Sequence, residues 1–138
     1  MDPLSITASI VAVLQLTSVV IRYLTDVKNA PKECQRCTIE ACNLQNLLIS
    51  LRYRLEQEQI DQPWFTAVRT LGVENGPLDQ YKQALEQLQS KVMDFNNGGQ
   101  KIRAQLSWKF SNAEVTVILG RMERLKTLVN IALEMDHL

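Results

Sequence analysis

Histidine is all but missing from this sequence, with His137 the only one. Chemistry routed through an imidazole, or a zinc site of mixed cysteine and histidine, has almost no material to work with. The three cysteines, Cys34, Cys37 and Cys42, fall within nine residues of one another. An odd set so close together makes no disulfide framework, and Cys34-x-x-Cys37 has no second pair to complete a metal site. They read as reduced thiols of an intracellular protein. Net charge is absent too: fifteen basic side chains meet fifteen acidic ones. That removes the electrostatic footprint of a nucleic-acid binder. Nor is there a Ser-His-Asp set, a glycine-rich phosphate loop, an internal repeat or a low-complexity linker. No catalytic, metal or cofactor site is expected, and the chain does not read as an enzyme.

What is present is apolar mass. Hydrophobic residues make up 46% of 138, which excludes a disordered chain and suits one domain, 1–138, with a real core. Proline and glycine punctuate it at Pro3, Pro31, Pro63, Gly72, Gly76-Pro77 and Gly98-Gly99. They cut the chain into segments of about 3–29, 32–59, 63–71, 77–96, a short piece near 100–107, and 111–136. In the second, Cys34, Cys37, Ala41, Leu44, Leu48, Leu51 and Leu55 recur every three or four residues. Leu78, Tyr81, Leu85, Leu88, Val92 and Phe95 do so in the fourth, and Val115, Ile118, Met122, Leu125, Val129 and Ala132 in the last. That spacing draws one apolar stripe along a helix. Extra apolar residues beside the stripes (Leu47, Leu119, Leu128, Ile131) widen them beyond a two-stranded seam, toward an intramolecular bundle. The boundaries agree: Asp2 with Pro3 for the first helix, Gln62-Pro63 and Gly76-Pro77 as openings, Gly72 as a stop, and Ser111-Asn112-Ala113-Glu114 as a capping box. Gly120 alone sits inside a helical pattern, where it costs about 1 kcal/mol and either serves a close helix crossing or is a tolerated accident. The expected fold is all-α: four to five major helices plus short connecting helices, with the hydrophobic N-terminal helix central.

That first segment differs from the rest. PLSITASIVAVLQLTSVVI, Pro3 to Ile21, is nineteen residues without a charge, and ten of them are Leu, Ile or Val: Leu4, Ile6, Ile10, Val11, Val13, Leu14, Leu16, Val19, Val20 and Ile21. Its many β-branched residues make a strand the competing reading. A thin polar stripe at Ser5, Ser9, Ala12, Gln15, Ser18, Arg22, Thr25 and Asn29 favours a helix. The signal-peptide reading lacks a positive start and a small-residue cleavage site. As a membrane span, nineteen helical residues reach about 28 Å, close to the ~30 Å hydrocarbon thickness. Ten Leu, Ile and Val contribute roughly −3 to −6 kcal/mol to insertion, offset by Pro3, Gln15 and five Ser or Thr residues. Insertion is therefore marginal. A buried central helix, and a helix buried at rest that enters lipid when released, both fit.

A second feature is an excess of four positive charges between Gln100 and Thr127, where Lys101, Arg103, Lys109, Arg121, Arg124 and Lys126 face only Glu114 and Glu123. Such residues could contact anionic lipid at roughly 1 kcal/mol each, or form a solvated face with local ion pairs. Trp64-Phe65 and Trp108-Phe110, near helix ends, read first as core corners and second as interfacial anchors.

The opening MDPLSITASIVAVLQLTSVVIRYLTDVKNAPKE resembles the N-terminal domain of fungal NOD-like (STAND-type) receptors and related cell-death proteins, the HeLo-like family. LSWKFSNAEVTVILGRMERLKTLVNIAL is similar to that family's closing helix, and Cys34 to Leu55 matches more loosely. The resemblance implies a helical bundle related to the fungal HeLo domain and similar to that of the mixed lineage kinase domain-like protein of necroptosis. It implies membrane-targeted cell-death execution, driven by exposure of the N-terminal helix after self-association; the basic residues make anionic membrane lipids the expected surface. Such a domain would be cytoplasmic at rest and at the plasma membrane when activated. It also implies a nucleotide-binding receptor module or an amyloid-type signalling motif as partner, so the chain is expected to be an excised domain. The alternative is a homotypic interaction or regulatory module without membrane activity.

Overall fold

A computed structural model describes residues 2–57, 62–92 and 107–135, helices joined by turns and irregular segments with no strand among them. The order is α1 (Pro3–Thr25), α2 (Lys32–Leu55), α3 (Gln62–Leu71), α4 (Pro77–Val92) and α5 (Asn112–Glu134). The helical reading of residues 3–21 thus holds against the strand. Phe95 and most of the piece near 100–107 lie outside the described residues.

Local chemistry sets the ends. The Asp2 carboxylate accepts the Ser5 backbone N–H at 2.8 Å, and Pro3 fills the first turn, where its missing N–H has no partner to lose. At α5 the capping box is complete: the Ser111 hydroxyl accepts the Glu114 N–H at 3.2 Å, and Glu114 accepts the Ser111 N–H at 2.8 Å. The α3–α4 turn is tight. Asn75 takes φ 59°, and Gly76 donates its N–H to the Val73 carbonyl at 2.9 Å. A Cβ on Gly76 would lie 2.7 Å from Val73 Cγ2 and 2.9 Å from the Val73 carbonyl oxygen, so no larger residue fits without a shift.

The apolar stripes become the core. In α2 the buried residues are Cys34, Cys37, Ala41, Leu44, Leu48, Leu51 and Leu55; in α5 they are Val115, Ile118, Met122, Leu125, Val129 and Ala132. α4 buries its expected stripe through Val92 and adds Pro77 and Ala84. The helices make a ring: α2 and α4 each pack against both α1 and α5, whereas α1 and α5 meet at most in passing. The short α3 lies against α5 and, more lightly, α1. α1 therefore packs on α2, α3 and α4 from one corner. α1 and α2 run antiparallel, since Cys34 meets Leu24 while Gln45 meets Ser18. α4 and α5 do so too, with Lys91 at Glu114 and Gln83 at Arg121.

Candidate functional site

α1 presents two faces to two environments. Ile6, Ile10, Val13, Leu14, Thr17, Val20 and Leu24 are buried against the neighbouring helices. Val11, Leu16, Val19 and Ile21 are half-buried along the edges, and Leu4 is 79% exposed. Of the ten apolar residues expected to enter lipid, five thus form the seat, four flank it and one stands in solvent. The polar stripe faces out at Ser5, Ala12, Gln15, Ser18 and Arg22, with Ser9 half-buried. Only 33% of the most apolar eighteen residues are buried. Among the described residues α1 is the one helix long and apolar enough to cross a membrane, a criterion that a soluble core helix or a signal sequence also meets.

Few polar contacts hold α1 in place. Thr17, fully buried, sits with its Oγ1 2.9 Å from the Tyr81 hydroxyl on α4. The same Thr17 hydroxyl donates to the Val13 carbonyl at 2.8 Å, which uses its only proton. Tyr81 must therefore be the donor to Thr17. Burial raises the Tyr81 pKa above its ordinary value, so the phenol keeps that proton. On the other side Gln45 Nε2 donates to Ser18 Oγ at 2.8 Å, in an exposed position. The Cys34 thiol approaches the Leu24 carbonyl at 3.7 Å, a weak contact. Among the described residues no ion pair joins α1 to another helix. Thr7 and Thr25 also donate to carbonyls four residues back, at 2.8 and 2.7 Å, so each threonine of α1 carries its donor with the helix.

Among the described basic residues between Gln100 and Thr127, two are taken up by contacts with neighbouring helices. Lys126 reaches Glu40 on α2 at 2.9 Å and Glu123 at 3.1 Å, and these carboxylates raise its pKa. Arg121 turns the other way and donates to Gln83 Oε1 on α4 at 3.3 Å. Lys109 and Arg124 are exposed; Lys101 and Arg103 lie outside the described residues. Glu40, distant in sequence, is the partner that counting charges between Gln100 and Thr127 misses. Trp64 and Phe65 are core residues. Trp108 and Phe110 are half-buried with ring centroids 4.5 Å apart, and Lys91 lies 5.0 Å over the Phe110 ring.

The rest of the described surface offers little for chemistry. Burial pushes the Cys34 thiol up to about 11 and Cys37 up to about 12, away from the reactive thiolate. No group of three or more His, Cys, Asp or Glu side chains is placed to hold a metal ion among the described residues. A cleft of about 570 Å³ between α2 and α5 is lined by Ile49, Ser50, Tyr53, Arg54 and Leu133. Among the described residues its lining holds neither a carboxylate nor an imidazole to act as general acid or base. Against known proteins, neither family models, nor curated sequences, nor solved structures give a match to this chain.

Proposed function

We propose that this chain is a membrane-targeting effector domain of the cell-death type, in which α1 leaves its seat after self-association and enters an anionic membrane. The observation that carries the reading is the ring itself. α5 packs on α2, α3 and α4, so the other four helices remain joined when α1 departs. Two further features support it. Apart from the Thr17–Tyr81 pair the seat of α1 is apolar, so lipid tails can replace most of the side chains it packs against with surroundings of the same kind. No charge has to enter hydrocarbon between Pro3 and Ile21. A receptor module or amyloid-type signalling motif supplies the trigger in this reading, with the domain cytoplasmic before it.

Release of a trapped dye from liposomes of phosphatidylcholine and phosphatidylserine tests the proposal. Ala12→Lys is the informative variant, because Ala12 is exposed and lies midway along the uncharged run. A lysine there costs the folded bundle little but about 2.5–3.5 kcal/mol at a bilayer centre. Wild type is expected to release dye, and Ala12→Lys to melt normally and release none. A folded Ala12→Lys chain that leaks like wild type removes α1 as the insert.

The second reading, a homotypic interaction module, is favoured by the α2–α5 cleft. Its rim carries Ile49 and Tyr53, 51% and 65% exposed. Under that reading Tyr53→Glu abolishes a concentration-dependent dimer in sedimentation, and no liposome leaks.

A further inference from the structure

We propose that Thr17 and Tyr81 form a latch in which the Thr17 hydroxyl holds α1 on α4 by accepting the proton of a buried phenol, so that loss of this acceptor, rather than of the phenol, frees α1. Its use in membrane entry rests on the reading above; its existence does not. The pair is fully buried and 2.9 Å long, and it is the one hydrogen bond between α1 and α4 among the described residues. The protons run in one direction, from Tyr81 O–H to Thr17 Oγ1 and from Thr17 O–H to the Val13 carbonyl.

The two partners are therefore unequal. When α1 lifts away, Thr17 keeps its bond to Val13 and travels with its donor satisfied. Tyr81 stays on α4 and regains a partner only when water enters the vacated groove. Closed, the latch satisfies a phenol that would otherwise be a buried donor with no acceptor, and such a group is costly to bury. Ser18 and Gln45 cannot act in the same way, because water competes for their exposed bond.

This asymmetry gives a distinctive mutational pattern. Thr17→Val has nearly the same shape but strands the Tyr81 proton while α1 is seated, so α1 opens more often. Tyr81→Phe removes the donor and leaves Thr17 bonded to Val13, so opening changes little. Combining the two replaces both partners by apolar groups, which is nearly neutral for a buried pair. The double variant is thus expected to recover what Thr17→Val loses.

Hydrogen exchange of the full chain at neutral pH, read helix by helix, is the test. Thr17→Val should speed exchange of the α1 amides about tenfold over wild type, the effect of one stranded buried donor. α5 amides should stay unchanged, and Thr17→Val/Tyr81→Phe should return α1 to within about threefold of wild type, as expected when both partners become apolar. Equal acceleration in every helix, or a double variant as fast as Thr17→Val, overturns the latch. Should Thr17→Val fail to fold, the double variant decides: restored protection of α1 supports the latch, and a second unfolded chain refutes it. Liposome leakage from the same samples separates the two ideas. Faster α1 exchange with no dye release by any variant leaves the latch standing and removes the membrane role.

Discussion

The indole N–H of Trp64 on α3 donates to the carbonyl of Ala132 in the last turn of α5, at 2.8 Å. The final carbonyls of a helix have no intrahelical partner. A buried side chain from another helix supplies one here, and Arg54 lies 5.0 Å over the same ring. Trp64→Phe should remove the bond and leave a cavity, lowering stability by about 2–4 kcal/mol in urea melts. A midpoint within error of wild type would show that the α3–α5 junction carries no weight.

The capping box makes the start of α5 sensitive to one hydroxyl. Ser111→Ala should cost about 1 kcal/mol, read as a lower denaturant midpoint at unchanged slope.

Acid should weaken both capped helix starts. The Glu114 carboxyl is held below its ordinary 4.5 chiefly by the Lys91 ammonium and then by the Ser111 N–H, and Asp2 below its ordinary 3.8 chiefly by the Ser5 N–H. A depressed folded-state pKa means that the unfolded chain takes up protons first. The stabilisation is therefore complete above the ordinary values and is lost as pH falls past them, through the lowered folded values. Tm should drop below pH 4.5, and Glu114→Gln should flatten part of that drop. A Tm independent of pH down to 3 would contradict both assignments.

Gly120 is exposed in the middle of α5, and a Cβ there would meet nothing within 4 Å. The close helix crossing that could have required it does not occur. Gly120→Ala should raise stability by about 1 kcal/mol, since alanine only restricts the unfolded chain and favours the helix. Thermal melts of the two proteins settle the sign.

The thiols should divide into two classes. Cys34 and Cys37 are buried with raised pKa values, while Cys42 is half-buried. Iodoacetamide at pH 8 is expected to label Cys42 first in the folded chain and all three in urea. Rapid native labelling of Cys37 would mean that α2 opens away from the core.

How much of this was legible beforehand depends on contrast along each helix. In α2 and α5, charged residues alternate with apolar ones, and the stripes read from spacing are the residues found buried. α1 has almost no such contrast. A helix apolar nearly all round does not announce which face it will bury, and only the thin polar stripe pointed outward. Thr17 lies off that stripe, which was the available hint of a buried polar partner; the identity of Tyr81, sixty-four positions away, was not. Lys126 shows the same limit. Its charge was visible, but Glu40, which occupies it, comes from a different helix, and ion pairs across a bundle leave no periodic trace.

The ring also fixes an order of events during synthesis. α1 is made first, yet α4, one wall of its seat, is complete only at Val92, and α5 follows later still. The nascent chain can pair α1 with α2 in a local hairpin long before the other wall exists. Through that interval α1 lacks the cover that α4, and more lightly α3, will give it. A growing polypeptide in that state is a natural client for chaperones that hold apolar segments. Slowing elongation before α4 would lengthen the exposure, and slowing it after α5 would not.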